Sequence, residues 1–243
     1  MYSFKIEVAK KVIEVETQYN LCHKKCLHFL SEKPSDFCVK STDGDIKKEL
    51  QIYKEIEKKE DVRPPEAEHT VILRKISDKM LEYSTLMMHG AAIAYKNNAF
   101  LFTAVSGTGK STHIDKWRQN LPDSFVVNGD KPFIITGETP LVCGSPWSGK
   151  EGICSTQIVP LKAIILMERA DKNSISEIPF SQAMPVVLNQ VYRPSDSRLI
   201  KPCFQLIADM GKKVKFYRFK FNNFKDDCFD VAYSALCGDI KQI

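Results

Sequence analysis

The sequence predicts an α/β fold whose core begins near residue 85 and is preceded by a smaller α+β part. From residue 85 onward, short apolar runs of strand length alternate with segments whose apolar residues recur at helical spacing. Before residue 85, short alternating runs are followed by charged helical patterns with few large apolar residues. We therefore expect two parts, 1–84 and 85–243, and we do not expect the first part to fold alone.

The composition is that of an ordinary globular protein. Of the 243 residues, 43% are apolar and 27% are charged, which argues against collagen-like, disordered and disulfide-dense classes. No apolar run reaches the roughly 18 residues that a membrane span needs, and the charged N-terminus does not resemble a signal peptide. The net charge of +5 comes from lysines interleaved with acidic residues. We therefore expect no nucleic acid and no membrane as partners, and a cytoplasmic location.

The N-terminal part is predicted to contain short strands followed by two helices. The strand candidates are FKIEVAKKVIEVE and DFCVKST, in which apolar and polar residues alternate. The segment 43–63 has apolar residues at helical spacing among mixed charges, which indicates an exposed helix with either a solvated face or a docking surface. Pro64 and Pro65 favour the start of the next helix, whose apolar stripe runs from Ile72 to Tyr83.

The cysteine pattern gives little support for a metal centre. Cys22, His23, Cys26 and His28 lie close together, but a zinc site normally needs a second ligand pair at a defined spacing, and none follows. The eight cysteines, without a secretory signal, indicate reduced thiols.

The core is predicted to contain seven strands and four helices. In chain order the strands are MHGAAIAY, NAFLFTAV, SFVVN, PFIIT, PLVCG, PLKAIILMER and VKFYRFKF. The first two suit a hairpin around Asn97, and PLKAIILMER is apolar enough to be fully buried. One helix opens at Lys110 and one lies in SQAMPVVLNQVYRPSD. A third is either started or kinked by Pro202 and ends at Gly211, and DDCFDVAYSALCG forms the last.

The segment FLFTAVSGTGKST indicates a phosphate-binding loop, because a buried strand, a glycine-rich turn and a helix follow one another in it. The glycines let backbone N–H groups face a phosphate, and the helix N-terminus attracts anions. Lys110 supplies a charge for the phosphates and Ser111 a hydroxyl for Mg²⁺. The predicted nucleotide-binding residues are Ser106, Gly107, Thr108, Gly109, Lys110, Ser111 and Thr112. Ala104 replaces the first glycine of the usual pattern, which is tolerable if its φ is not positive.

A carboxylate follows the next predicted strand. The run VVNGDKP places Asp130 just beyond that strand. There it can hold Mg²⁺ together with Ser111, or accept the proton of a substrate hydroxyl. The alternative is that Asp130 serves only as a turn residue.

Five segments together resemble the superfamily of HPr serine kinases and phosphoenolpyruvate carboxykinases: HGAAIAY, FTAVSGTGKSTH, VNGDKPFI, SPWSGKEG and VPLKAIILMER. The likeness covers about residues 85–238 and is greatest to small HPr-kinase-related proteins of the lasso-peptide-kinase type. It implies a carboxykinase-like P-loop core with a twisted mixed sheet. It also implies an ATP- and Mg²⁺-dependent phosphotransferase and, since HPr kinases are oligomeric, a homo-oligomer.

The resemblance extends to individual residues. Lys110 and Ser111 match the phosphate and metal residues of the family, and His89 matches a histidine near its catalytic carboxylate. Gly129 replaces the first of two adjacent aspartates, so the division of Asp130 between base and metal ligand stays open. The predicted catalytic residues are thus Asp130, His89 and Lys110.

Further candidates lie in the charged loop GSPWSGKEG, where Trp147 can shape a pocket, and in VYRPSD. They are Lys150, Glu151 and Arg193, each of which can equally be a surface charge. The expected acceptor is a hydroxyl, on a peptide or protein serine or on a small molecule such as a polyol. The rival interpretation, favoured by Ala104 and Gly129, is a nucleotide-binding module without catalysis.

Overall fold

The computed structural model describes residues 1–105 and 107–238, in which a large mixed sheet is covered by helices on both faces. The strands are β1 (Tyr2–Val8), β2 (Lys11–Thr17), β3 (Phe37–Lys40), β4 (Thr85–Met87), β5 (Ala91–Tyr95), β6 (Asn98–Thr103), β7 (Phe125–Asn128), β8 (Phe133–Ile135), β9 (Leu141–Cys143), β10 (Ile158–Arg169), β11 (Ser174–Ile178) and β12 (Lys215–Phe221). The helices are α1 (Leu21–Lys25), α2 (Asp43–Glu55), α3 (Pro64–Met80), α4 (Lys110–Asn120), α5 (Phe180–Gln190), α6 (Ser197–Gly211) and α7 (Cys228–Cys237).

The large sheet is organised around β10. Its strand order is β4-β8-β9-β10-β6-β5-β7, and β12 pairs with β10 while β11 pairs with β12. β10 runs parallel to β6 and β12 and antiparallel to β9, so the sheet is mixed. The predicted α/β class is therefore confirmed, and the central position of β10 explains its almost uninterrupted apolar sequence.

The alternation of side chains along β6 separates two hydrophobic cores. Leu101 faces the core covered by α5 and α6, whereas Phe102 faces the core covered by α4 and α7. α4 is anchored in the second core by Ile114 and the fully buried Trp117. The burial of these two side chains fixes the position of α4, and with it the position of its first turn.

The N-terminal part has its own sheet, β1-β2-β3, but not a core of its own. Ile72 and Ile76 of α3 share a hydrophobic cluster with Phe133 and Trp147 from beyond residue 85. The indole N–H of Trp147 also donates a hydrogen bond to the carbonyl oxygen of His69, at 2.9 Å. A boundary at residue 85 stays a proposal, because this core crosses it.

Several predicted elements differ in detail from the structure. α2 ends at Glu55, well before residue 63, and α3 ends at Met80, so that Tyr83 lies in a 3₁₀ turn. Pro202 lies inside α6, which begins at Ser197, so it does not start that helix. β11 was not predicted, because its sequence SISEI is polar and buries Ile178 alone. Along the described ranges, no helix combines the length and the apolar character needed to cross a membrane.

Buried His113 makes the stability of the fold dependent on pH. Trp117 Nε1 donates to His113 Nε2 at 3.0 Å, and burial, with a smaller contribution from Lys116, lowers the pKa of His113 from 6.5 to about 3. Between these values the unfolded chain binds the proton more readily than the folded protein. The free energy of unfolding therefore falls as the pH is lowered through this range.

Because of His113, the free energy of unfolding of wild type should fall by about 2 kcal/mol between pH 7 and pH 5. The His113→Gln variant should lack this fall. Urea unfolding at the two pH values measures this loss. His28→Gln, at an exposed histidine, is the matched control and should behave as wild type. An equal loss of stability in His113→Gln and wild type would contradict the prediction.

Candidate functional site

The described part of the loop between β6 and α4 contains two glycines with positive φ. Gly107 and Gly109 have φ angles of 77° and 115°, which glycine adopts without strain. Ala104 is not among the residues with positive φ and is only 3% exposed, so alanine fits where the usual pattern has glycine. Ser106 lies outside the described residues. The alanine at position 104 is therefore compatible with the predicted backbone of the loop.

The loop leads directly into the N-terminus of α4. Gly109 is the capping residue, and Ser111 and Thr112 are exposed in the first turn. The first N–H groups of a helix have no partner within the helix and carry partial positive charge. These groups and the two hydroxyls are thus available to a phosphate-bearing ligand.

Arg169, at the end of β10, holds the outer side of this loop. Its guanidinium donates hydrogen bonds to the carbonyl oxygens of Gly107, at 2.6 Å, and Thr108, at 3.0 Å. Because a trans peptide places its N–H opposite its carbonyl, the Gly109 N–H faces away from Arg169. Sequence reasoning missed Arg169, and the only signal for it was a basic residue at the end of a buried strand.

Lys110 is buried at the base of the loop, with 9% of its surface exposed. Its Nζ donates to the carbonyl oxygen of Ala104 at 3.0 Å and lies 3.4 Å from His89 Nε2. Burial lowers the pKa of Lys110, and the negative charge of Asp130 opposes that shift. The three residues predicted to be catalytic are therefore close together.

His89 connects Lys110 to Asp130. His89 Nδ1 lies 3.0 Å from Asp130 Oδ1, and the backbone N–H of Gly90 donates to the Asp130 carbonyl oxygen at 2.8 Å. Lys131 Nζ lies 2.5 Å from the other carboxylate oxygen, Oδ2. Burial raises the pKa of Asp130, but the hydrogen bond from His89 and the charge of Lys131 outweigh it and bring that pKa to about 2. Asp130 is thus an anion at neutral pH.

A buried asparagine shapes the turn that carries Asp130. Asn128 Oδ1 accepts hydrogen bonds from the backbone N–H groups of Asp130, at 2.9 Å, and Lys131, at 2.7 Å. A Cβ atom on Gly129 would lie 2.9 Å from the carbonyl oxygen of Ser148, closer than packed atoms tolerate. The turn therefore has no room for a second carboxylate at position 129. Asn128 and Lys131 were also missed, although an asparagine before Gly-Asp is a turn signal.

Glu151 lies near both the loop and Asp130. A Cβ atom on Gly149 would lie 3.1 Å from Asp130 Cβ and 3.6 Å from Glu151 Oε2. Glu151 also lines a small cleft with Ser111 and Gly129. Glu151, in the β9–β10 connection, is thus a carboxylate on the same side of the loop as Asp130.

The remaining candidates from the sequence do not join the cluster of Lys110, His89 and Asp130. Lys150 is exposed in the same connection, and Arg193 lines a separate cavity of 230 Å³ with Glu49 and Arg74. Trp147 is buried and stacks on the His69 ring, with centroids 5.1 Å apart, so it packs in the core instead of shaping a pocket at the site.

Comparison with known proteins gives only a distant likeness. No protein-family model matches the chain, and no curated protein matches it either. Among solved structures, the Hpr(Ser) kinase/phosphatase from Coxiella burnetii matches with 9% sequence identity and a TM-score of 0.36. The match covers 61% of this chain and 95% of that chain. A TM-score this low carries no inference about the function of this chain.

Proposed function

We propose that the protein is a kinase with a carboxykinase-like P-loop core, which transfers the γ-phosphoryl group of ATP to a serine hydroxyl of a peptide or protein. The observation that carries this proposal is the placement of buried Lys110 beside the His89–Asp130 pair. It joins a cation suited to phosphates with a group that can take a proton from a hydroxyl.

The residues at the loop fit a magnesium–nucleotide complex. Mg²⁺ usually keeps several waters and takes one or two carboxylates together with substrate phosphates. Ser111, Asp130 and Glu151 would supply the protein oxygens, and Mg²⁺ would neutralise charge on the phosphates. Among the described residues no group of three or more His, Cys, Asp or Glu side chains is placed to hold a metal ion. The proposed Mg²⁺ site therefore relies on the nucleotide phosphates for the rest of its ligands.

The His89–Asp130 pair would accept the proton of the attacking hydroxyl. A carboxylate with a pKa of about 2 is a weak base, and an imidazole is a stronger one. With the Nδ1 proton directed at Asp130, Nε2 of His89 is free to take the hydroxyl proton once Lys110 turns to the phosphates. The serine oxygen then bonds to the γ-phosphorus as the bond to the bridging oxygen breaks, and ADP leaves.

The second candidate is a nucleotide-binding module without turnover. Its supporting observation is the ion pair between Lys131 and Asp130, at 2.5 Å, together with the lack of room for a carboxylate at Gly129. If Lys131 kept Asp130 occupied in the presence of nucleotide, the loop would bind ATP without transferring phosphate.

Mass spectrometry of products can separate these candidates. The protein is incubated with MgATP and either a mixture of serine-containing peptides or a mixture of small polyols. The expected product is a serine peptide heavier by about 80 Da, the mass of one added phosphate. Phosphate on a polyol alone would indicate a small-molecule kinase. Bound nucleotide without any product would indicate the binding module.

Glu151→Gln tests the assignment of the second carboxylate. Loss of one anionic oxygen ligand should raise the Mg²⁺ concentration for half-maximal turnover by about tenfold, the lower end for disturbed metal sites. Lys150→Gln, at the exposed neighbour, is the matched control and should keep the wild-type Mg²⁺ dependence. A Glu151→Gln variant with unchanged Mg²⁺ dependence would remove Glu151 from the proposed site.

A further inference from the structure

A cavity of 540 Å³ borders the loop, and Lys110, His89 and Asp130 are not among the residues that line it. It is bordered by Thr108 and Thr112 of the loop and α4, by Arg169, and by Asn223 and Phe224 after β12. Its volume lies within the roughly 300–1,000 Å³ typical of small-molecule sites.

The wall formed after β12 is attached directly to the loop. Asn223 Nδ2 donates to the carbonyl oxygen of Gly109 at 3.2 Å. The next residue, Phe224, is 97% exposed, but its backbone N–H is held by Asn222 Oδ1 at 3.0 Å. The N–H of Asn222 is in turn held by Asn173 Oδ1 at 2.6 Å. The exposed ring therefore lies at the rim of the cavity, on a backbone that hydrogen bonds hold at Asn222 and at Phe224.

The reacting groups and the cavity lie on different sides of the first turn of α4. Lys110 is directed toward His89 and Asp130, whereas Thr112, two residues later, lies on nearly the opposite side of α4. A triphosphate with its γ-phosphate near Lys110 would place its α-phosphate toward Thr112. The nucleoside attached to the α-phosphate would then enter this cavity.

We propose that this cavity is the nucleoside subsite and that the base of ATP stacks on the ring of Phe224. The guanidinium of Arg169 lies on the same rim and adds positive charge beside the phosphates. The subsite rests on the proposed function, because it assumes a nucleoside triphosphate on the loop. Stacking on an aromatic ring is available to any base, so Phe224 provides affinity without reading the base edge.

The test compares two probes that share phosphates and differ in the nucleoside. Calorimetric titrations of wild type and Phe224→Ala are made with MgATP and with magnesium tripolyphosphate. Phe224→Ala should weaken MgATP binding at least about fivefold, as expected for loss of one stacked base, and leave tripolyphosphate binding unchanged. Phe204→Ala, at a partly exposed phenylalanine of α6, is the matched control and should bind both probes as wild type does.

The possible failures are distinguishable. Unchanged MgATP affinity in Phe224→Ala, or an equal loss for both probes, would overturn the nucleoside subsite and leave the phosphate site standing. If wild type binds neither probe, the proposed function is wrong and the subsite with it.

Discussion

Asp130→Asn is expected to lower phosphoryl-transfer turnover at least about a hundredfold, the lower end for loss of acid–base assistance. The amide keeps the shape of the side chain but removes the charge that lies 3.0 Å from His89 Nδ1. His89 then loses the partner that fixes its tautomer and stabilises it after it accepts a proton. ADP formation at saturating MgATP, with the peptide acceptor present, measures the effect.

The matched control is Asp123→Asn, at an exposed aspartate after α4, which should keep wild-type turnover. Both variants should retain the wild-type circular dichroism spectrum, which separates a catalytic loss from a folding defect. Near-normal turnover in Asp130→Asn would contradict the assignment of Asp130 and direct attention to Glu151, the neighbouring carboxylate.

Lys110→Ala is expected to remove most of the stabilisation that MgATP gives to the folded protein. A ligand at a hundred times its Kd stabilises the native state by about 2.7 kcal/mol, and a weakened site loses this effect. We expect less than half of the wild-type shift in melting temperature for Lys110→Ala at the same MgATP concentration. The reason is that Nζ is the buried cation at the base of the loop.

Two further variants make this result interpretable. Lys110→Met retains most of the aliphatic stem and should lose the MgATP shift as well, which would exclude a packing effect. Lys116→Ala removes a lysine farther along α4 and should show the full shift. A folded Lys110→Ala variant with an undiminished shift would show that the loop does not bind the phosphates through Lys110.

The elements that the sequence predicted well are those with a strong apolar pattern. β10 and the β5–β6 hairpin are buried along almost their whole length, so their apolar runs stand out. β11 lies beyond β12 at the end of the sheet and buries only Ile178, so its sequence has no such run. α3 gives way at Leu81 to a 3₁₀ turn, and Ser84 ends that turn with a left-handed φ of 52° that its residue type does not predict.

The residues of the candidate site also differ in how well the sequence predicts them. Some lie together in one motif, and others come close only through tertiary structure. The glycines and Lys110 occupy consecutive positions, and one motif therefore identifies them together. Arg169 reaches Gly107 only because β10 pairs in parallel with β6, a pairing between segments about sixty residues apart. Glu151 is near Asp130 through the path of the β9–β10 connection. Such contacts are set by tertiary structure, and nothing in the local sequence distinguishes Glu151 from Arg193, which lines another cavity.

Phosphoryl transfer at the loop can be followed directly by phosphorus-31 NMR of MgATP mixed with the wild-type protein and serine-containing peptides. We predict that the γ-phosphate resonance of ATP declines while those of ADP and of a phosphoserine monoester grow in equal amounts, and that Asp130→Asn slows all three changes. Conversion of the γ-phosphate to inorganic phosphate alone, or no change in ATP that binds to the protein, would contradict a kinase built on Lys110, His89 and Asp130.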